Sequence, residues 1–316
     1  MANKKKTKKR SSASHHSGHH PKKSRVPRAP KVSWLVGARL RTLPLAIAPV
    51  ALGAGVASHA HHFSLLLSLL CLAVAVFLQV GVNYANDYSD GVRGTDAYRV
   101  GPARLTGSGA KKPKAVLTVA LVFFGLAAVA GILVTLISQQ WWFLVVGAVA
   151  IVAAWFYTGG KRPYGYAGFG ELAVFVFFGV VATQGTAFVQ THGWSNSGFV
   201  GAAGVGLLAC AVLMINNIRD IATDVAAGKK TLAVRLGQRA SIIVFCSMIA
   251  IPMGLAGMLG LFFAPTLYTQ FVWLAVLPAG LIAVMAKTPG EYITVLKITS
   301  FATLAYGVLL GIGLAL

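Results

Sequence analysis

The chain alternates long apolar runs with short polar segments. A helix needs about 20 predominantly apolar residues to cross the hydrocarbon core of a bilayer, and the run at 141–158 is the shortest that approaches this length. The runs predict transmembrane helices at 34–58, 63–86, 115–137, 141–158, 171–190, 198–218, 240–262, 267–286 and 292–315. The expected fold class is therefore all-α: a polytopic membrane protein built as a bundle of nine transmembrane helices.

Basic residues occupy alternate connections between these runs. Of the 28 Lys and Arg residues, all except Lys297 lie in the segments 1–31, 87–114, 159–170, 219–239 and 287–291 or at the helix ends that border them. The other connections, which contain no Lys or Arg, are 59–62, 138–140, 191–197 and 263–266. Because Lys and Arg are enriched in cytoplasmic loops, the pattern predicts a multi-pass protein of the cell membrane with a cytoplasmic N-terminus.

Composition supports a membrane protein and separates off one terminal segment. The chain is 56% hydrophobic and 11% charged, whereas soluble domains carry about 25% charged residues. About half of the net charge of +21 lies in residues 1–31, which we predict to be a disordered basic cytoplasmic tail near anionic lipid. Residues 32–316 form the predicted transmembrane domain. No folded nucleic-acid-reading element follows the tail, so nucleic acid is not an expected partner.

The seven acidic residues all lie on the predicted cytoplasmic side, which the rule for basic residues does not explain. The second apolar run ends in a segment that carries Asn83, Asn86, Asp87 and Asp90. These positions follow the spacing i, i+3, i+4 and i+7, which places them on one helix face. Asp96 comes shortly afterwards.

A similar motif ends the sixth run. It contains Asn216, Asn217, Arg219, Asp220 and Asp224, and its first Asn shares one helix face with both Asp residues, at i, i+4 and i+8. Both motifs have the pattern Asn-x-x-x-Asp at the same end of a long apolar run. We therefore expect two helix ends that face each other across one site.

Carboxylates grouped in this way repel one another unless cations neutralise them. Hard oxygen ligands suit Mg²⁺, which commonly bridges protein carboxylates and substrate phosphates. The predicted metal ligands are Asp87, Asp90, Asp220 and Asp224, with Asp96 as a further candidate. Basic side chains that could bind phosphate share the same side: Arg93, Arg99, Arg104, Lys161, Arg162, Arg219, Lys229, Lys230 and Arg235, with Arg39 and Arg41 from the first helix. Helix capping and salt bridging could explain Asp96 or Asp224 individually.

A transporter of an anionic lipid is an alternative from another class, because a weak repeat and polar helix ends also occur in transporters. Transporter sites usually lie near the middle of the bilayer. Here the central parts of the predicted helices contain no acidic residue, and this favours an enzyme at one membrane face.

The motifs resemble those of the UbiA superfamily of intramembrane aromatic prenyltransferases, from about residue 34 to the end of the chain. The strongest elements are the segments 86–90 and 216–224 together with the nine predicted helices. The chain is most similar to the branch of that superfamily that prenylates 1,4-dihydroxy-2-naphthoate. That similarity rests on the segments 41–44, 90–96, 157–166, 170–171 and 228–237. At Gly94 the chain lacks the second Asp of the commoner family spacing, which leaves the role of Asp96 open.

The resemblance implies a Mg²⁺-dependent enzyme in which Asp87, Asp90, Asp220 and Asp224 are catalytic. A polyprenyl diphosphate would donate its prenyl group to dihydroxynaphthoate, and CO₂ and diphosphate would leave. Acceptors such as 4-hydroxybenzoate or homogentisate remain open. The substrate contacts implied are Asn83, Asn86, Arg41, Arg104, Tyr157, Lys161, Arg162, Asn216, Asn217, Arg219, Lys229 and Arg235.

Overall fold

A computed structural model describes Ala2, residues 32–98, residue 101 and residues 103–316. Within those residues the chain contains helices, turns and bends but no β-strand, which confirms the predicted all-α class. Apart from Ala2, the predicted basic tail at 1–31 lies outside the described residues, as does Arg99.

We number the α-helices along the chain. They are α1 (Trp34–Ala38), α2 (Pro44–His59), α3 (Leu65–Arg93), α4 (Pro113–Ser138), α5 (Phe143–Phe156), α6 (Gly170–Thr191), α7 (Asn196–Ala226), α8 (Leu232–Gly260), α9 (Trp273–Met285) and α10 (Pro289–Ala315). Short 3₁₀ helices cover Leu40–Thr42, Thr95–Tyr98, Tyr164–Ala167 and Ala264–Val272. Helix α6 contains a π-helical segment at Phe175–Val181.

Several of these helices can cross a bilayer. Among the described residues, 7 helices are long and apolar enough to cross a membrane, when α9 is counted together with the 3₁₀ helix before it. An eighth span results if the segment Trp34–Thr42 and helix α2, which meet at a bend of 47°, are taken together. Helix α5 is apolar but shorter. The chain is therefore a multi-pass membrane protein, and the count of nine crossings stays a prediction.

Both helices that carry the aspartate motifs extend beyond the predicted apolar runs. The run predicted to end at 86 continues as α3 to Arg93, and the run predicted to end at 218 continues as α7 to Ala226. Helix α3 stops where Gly94 adopts a left-handed conformation with φ of 75°, a common helix end that glycine adopts without strain. The polar motifs are thus helical over most of their length.

Close contacts between helices hold the bundle together. Helix α2 packs against α6 and α10, α3 packs against α4, and α7 packs against α8 and α10. A side chain at Gly55 would overlap the backbone of Gly311 on α10, so glycine lets α2 and α10 approach closely, as small residues do in membrane bundles.

A cavity of about 310 Å³ lies among α2, α3, α5, α6 and α7. Most of its lining is apolar, but polar side chains at the ends of α3, α5 and α7 also line it. Outside the bundle, large apolar side chains such as Val145, Ile243 and Leu274 are 66%, 67% and 77% exposed. A lipid environment explains this surface, because such extensive apolar exposure is unusual in soluble monomers.

Candidate active site

The ends of α3 and α7 meet around one lysine. The Lys229 Nζ atom lies 3.8 Å from Asp90 Oδ1 and 3.7 Å from Asp224 Oδ1. Asp90 is 3% exposed and Asp224 is 8% exposed. One ammonium group therefore neutralises a carboxylate from each motif, in a position where buried charges require a counter-ion.

Asp90 also contacts two residues from polar connections. Arg104 Nη2 lies 3.2 Å from Asp90 Oδ2, and Arg104 Nε lies 3.7 Å from Asp96 Oδ1. Burial alone would lower the pKa of Arg104, but Asp90, Asp96 and Asp87 raise it above its ordinary value. The guanidinium group therefore stays charged and ties Asp96 to the same cluster.

Tyr166 donates a hydrogen bond to Asp90 Oδ1 from the connection between α5 and α6. Its ring lies 4.5 Å from the Lys229 ammonium and 5.5 Å from the Arg93 guanidinium, measured to the ring centroid. Both distances allow cation–π attraction. Burial, and then the charge of Asp90, raise the pKa of the Tyr166 hydroxyl, so the hydroxyl stays protonated and serves as a donor.

Asp87 accepts two hydrogen bonds from backbone amides. The Leu105 N–H donates to Oδ2 at 2.9 Å and the Thr106 N–H donates to Oδ1 at 2.8 Å. The carboxylate is 2% exposed, and the following residue, Gly107, packs against Asp96. Asp87 thus anchors the segment that carries Arg104; its predicted role as a metal ligand stays a prediction.

The α7 motif is held mainly by α7 itself. Arg219 Nε lies 2.8 Å from Asp220 Oδ1 and Nη2 lies 2.5 Å from Asp220 Oδ2. The same Nη2 atom donates to Asn216 Oδ1 at 2.9 Å. Asn217 donates to Glu171 Oε1 at 3.0 Å, so the buried Glu171 of α6 joins the cluster. Glu171 was not among the substrate contacts predicted from the sequence.

Four predicted basic contacts form no ion pair with the aspartates in the part of the chain that the structure describes. Lys161 and Arg162 are exposed and take no part in the ion pairs among the described residues. Arg235 donates to the carbonyl oxygens of Ala167 at 2.8 Å and Lys230 at 3.2 Å, and so links two connections. Arg41 lies within electrostatic range of Arg219, Arg104 and Asp220.

The amides of both motifs line the cavity. Asn83, Asn86 and Asn216 contribute to its wall, as does Tyr157. Asn83 Nδ2 donates to the Ala38 carbonyl at 2.9 Å, and Asn86 Oδ1 accepts from Thr158 Oγ1 at 2.6 Å. The aspartates follow these amides along α3 and α7, so the charged cluster lies next to the polar end of an apolar cavity.

These groups fit Mg²⁺ only in combination with a substrate. Among the described residues, no group of three or more His, Cys, Asp or Glu side chains is arranged to hold a metal ion. However, Mg²⁺ is often bound by one or two carboxylates together with waters and substrate phosphates. Asp90 and Asp224, which already share one cation, provide two hard oxygen ligands of this kind.

Comparisons with known proteins identify the family to which the chain is similar. The model of the UbiA prenyltransferase family matches residues 46–291. The chain is 53% identical over 218 residues to a 1,4-dihydroxy-2-naphthoate octaprenyltransferase of Mycobacterium tuberculosis, covering 69% of this chain and 74% of that protein. It is 36% identical over 296 residues to the protein of the same name from Haemophilus influenzae, covering 89% of this chain and 95% of that protein.

Solved structures show the same fold. A UbiA homolog from Archaeoglobus fulgidus bound to DMAPP and Mg²⁺ has a TM-score of 0.62 and 16% identity, covering 88% of this chain and 99% of that one. The apo structure of a UbiA homolog from Aeropyrum pernix has a TM-score of 0.61 and 16% identity, covering 85% of this chain and 96% of that one. Together with the family match over most of the transmembrane region, these comparisons show that the chain belongs to the UbiA prenyltransferase family.

Proposed function

We propose that this protein transfers a polyprenyl group from a polyprenyl diphosphate to 1,4-dihydroxy-2-naphthoate in menaquinone biosynthesis. Its relatives in Mycobacterium tuberculosis and Haemophilus influenzae carry the name of that activity at 53% and 36% identity. The structural observation that carries the proposal is the pairing of Asp90 on α3 with Asp224 on α7 through Lys229. This pairing lies beside an apolar cavity able to receive a prenyl chain.

The clustered cations suit a reaction in which diphosphate is the leaving group. Arg104 and Lys229 lie within ion-pair distance of Asp90, and fixed cations stabilise the charge that develops on a leaving diphosphate. Asp90 and Asp224 would hold Mg²⁺, with Asp87, Asp220 and Asp96 as further predicted ligands. When bound, Mg²⁺ adds positive charge at the diphosphate and eases cleavage of the allylic C–O bond.

The cavity protects the reacting carbon. Residues such as Val174, Phe177 and Val181 of α6 give it an apolar wall, and excluding water prevents hydrolysis of a cation-like allyl group. The electron pair of the broken C–O bond leaves with diphosphate, and the ring carbon that bears the carboxylate forms the new C–C bond. The bond to the carboxylate then breaks, CO₂ leaves, and its electron pair restores the aromatic ring. Any hydroxyl proton released during the addition returns, so no net proton is required.

The orientation in the membrane belongs to the same proposal. We infer nine crossings, with residues 1–31 and the aspartate cluster on the cytoplasmic side of the cell membrane, because the basic connections lie there. Trp141, Trp142 and Trp194 lie at the opposite ends of the helices, where aromatic residues commonly mark the second interface. A periplasmic-type phosphatase reporter fused after Leu316 should be active, and an inactive fusion that is stably expressed would contradict this orientation.

The function is tested with the purified protein in detergent. Labelled geranylgeranyl diphosphate and Mg²⁺ are incubated with dihydroxynaphthoate, 4-hydroxybenzoate, homogentisate or no acceptor, with and without EDTA. We expect a prenylated naphthoquinol and one equivalent of CO₂ with dihydroxynaphthoate, and loss of both products with EDTA. Product formed instead with another acceptor would support prenyl transfer but contradict dihydroxynaphthoate as the acceptor. If folded protein acts on none of these acceptors, the result would contradict the proposed enzymatic function and favour a lipid-diphosphate carrier.

A further inference from the structure

A groove on the outer surface of the bundle, here called the outer groove, runs between α8 and α9. It has a volume of about 430 Å³, and no charged residue of the described chain lines it. A Cβ atom at Gly280 would lie 3.4 Å from Ile249 Cδ1, so the glycine keeps the groove open down to α8. Among the described residues, its lining shares no member with that of the cavity beside the aspartates.

The outer groove has the length of one leaflet of a bilayer. On α9 its lining extends from Trp273 to Met285, which is the whole of that 13-residue helix. At the rise of an α-helix this distance is about 18 Å, slightly more than half of a hydrocarbon core of about 30 Å. The groove therefore matches a single acyl chain that enters from one membrane surface.

Tyr292 of α10 joins the two helices at the Met285 end of the outer groove. Gln238 Nε2 of α8 donates to Tyr292 Oη at 3.0 Å, and Tyr292 Oη donates to the Ala286 carbonyl at 3.3 Å. Gln238 follows a break in α8, where Gly237 has φ of 75°. Because α8 starts shortly after the end of α7 that carries Asp224, this end of the groove lies on the same side of the bundle as the aspartate cluster.

Two cations flank this junction. Arg239 follows Gln238 and Lys287 follows Ala286 along the chain, and both side chains are exposed. Neither takes part in the ion pairs of the part of the chain that the structure describes. Glu291 lies within electrostatic range of Lys287, but its Oε2 atom accepts the backbone N–H groups of Lys287 and Thr288. Two cations thus face one carboxylate that already caps α10.

An apolar groove that ends between two cations is complementary to an anionic phospholipid. Lys and Arg at a membrane surface attract anionic headgroups, and basic pockets between transmembrane helices bind them. A guanidinium group can also hold a phosphate through two hydrogen bonds. We propose that the outer groove binds one acyl chain of an anionic phospholipid whose phosphate lies between Arg239 and Lys287. This site is separate from the proposed prenyl transfer and does not depend on it.

The charges favour this occupant over two others. A prenyl diphosphate carries more negative charge and is commonly bound through Mg²⁺ held by carboxylates, whereas the carboxylate beside Lys287 is occupied by the cap of α10. A second copy packed on the groove by a twofold axis would present the same surface patch. It would bring Arg239 and Lys287 of both copies together, which is unfavourable without an anion between them.

Trp273, at the far end of the outer groove, provides a reporter. Its indole Nε1 donates to Gln270 Oε1 at 3.0 Å, which fixes the ring. The purified protein is placed in phosphatidylcholine vesicles that contain a small fraction of phosphatidylglycerol or phosphatidylcholine brominated near the chain ends. Quenching that disappears with Trp273→Phe is assigned to the groove. We expect brominated phosphatidylglycerol to bind there about 10-fold more tightly than brominated phosphatidylcholine.

The charge test combines Arg239→Gln with Lys287→Gln. The preference for phosphatidylglycerol at Trp273 should fall to less than twofold, because both partners of the phosphate are removed. The matched control combines Lys112→Gln with Lys114→Gln, two exposed residues at the start of α4 on the same side of the bundle. The control removes the same charge from the membrane surface and should keep the wild-type preference.

The groove itself is tested with Gly280→Leu. The new side chain would occupy the space above Ile249 and should weaken quenching by brominated phosphatidylglycerol about 5-fold, because the acyl chain loses part of its packing surface. Gly125→Leu is the control, since Gly125 is exposed on α4 and a Cβ atom there would have no neighbour within 4 Å. It should quench like the wild type.

Each contrary outcome overturns the proposal. Equal affinity of the two lipids for the wild type excludes a headgroup site. A preference that survives the loss of Arg239 and Lys287, or that is lost equally in the Lys112 and Lys114 control, assigns the effect to general surface charge. A dimer in detergent that Gly280→Leu converts to a monomer, with the lipid preference unchanged, identifies a second copy as the occupant. Geranylgeranyl diphosphate that relieves quenching better than unlabelled phosphatidylglycerol identifies the prenyl substrate. If Gly280→Leu does not fold, the charge variants, which alter only exposed side chains, decide.

Discussion

The two aspartate motifs have similar sequences but are supported by different parts of the molecule. On α7, Asp220 is held by Arg219, the preceding residue on the same helix, through contacts of 2.8 and 2.5 Å. On α3, Asp87 is held by the backbone amides of Leu105 and Thr106, which follow it by 18 and 19 residues. The α7 motif is therefore organised locally, whereas the α3 motif requires a connecting segment to fold back onto its helix.

In the α3 motif, several polar connections share one carboxylate. Asp90 on α3 contacts Arg104, Tyr166 and Lys229, and these come from three different connections. Asp224 on α7 contacts Lys229 at 3.7 Å. Asp90 is thus a carboxylate on which three polar connections converge, and we expect the variant that loses its charge to be the most impaired.

The largest effect is expected for Asp90→Asn. The change removes a negative charge that three partners share, and we expect kcat/KM to fall about 1,000-fold, comparable to the loss of a major electrostatic group in an active site. For Asp224→Asn we expect a fall of about 100-fold, within the range seen when metal-site support is removed. Prenyl transfer measured over a Mg²⁺ titration checks both. An Asp224→Asn variant more severely impaired than Asp90→Asn would contradict the comparison.

A smaller and different effect is expected for Asp87→Asn. The amide NH₂ would face a backbone N–H that now donates to the carboxylate, and one buried hydrogen bond would be lost at a cost of roughly 2 kcal/mol in the free energy of unfolding. Amide hydrogen exchange in residues 103–108 should become faster, while the Mg²⁺ concentration for half-maximal activity changes less than threefold.

Asp220→Asn is the matched control, because its carboxylate contacts α7 itself. That variant should alter the Mg²⁺ dependence and leave exchange in residues 103–108 unchanged. If Asp87→Asn shifted the Mg²⁺ dependence without changing this exchange, Asp87 would act as a metal ligand and not chiefly as an anchor.

The same contrast explains which features could be predicted from the sequence. Helix positions and the shared faces of the motifs follow from apolar length and from the spacing of residues along a helix, both of which are local. The break between α1 and α2, at Arg39, is different, because hydrogen bonds from Gln79 and Asn83 on α3 support it. Such support depends on contacts between distant segments, which a single sequence does not reveal.

The basic residues illustrate the limit within the site. Lys161, Arg162 and Lys229 all occur in basic connections, yet Lys229 bridges two aspartates whereas the other two are exposed. The three residues have the same charge and occur in similar basic segments. Their different positions follow from the way in which each connection folds. Gly94 is a further case: its positive φ ends α3, so the next acid, Asp96, reaches the cluster from outside the helix.

The smallest effect is expected for Tyr166→Phe. The change removes the hydrogen bond to Asp90 Oδ1 and leaves Arg104 and Lys229 in contact with that residue. Loss of one hydrogen bond among several partners should lower kcat/KM about 5-fold. Prenyl transfer at saturating Mg²⁺ measures the change.

Tyr164→Phe provides the control within the same connection, because the Tyr164 hydroxyl donates to the Ala153 carbonyl at 2.8 Å and contacts none of the aspartates. It should reduce thermal stability slightly and leave kcat/KM within twofold of the wild type. Equal losses of activity in the two variants would mean that the connection between α5 and α6 affects activity through its overall conformation and not through the hydrogen bond from Tyr166 to Asp90. A selective loss in Tyr166→Phe would show that Asp90 depends on groups beyond its own helix, which is the property that distinguishes it from Asp220.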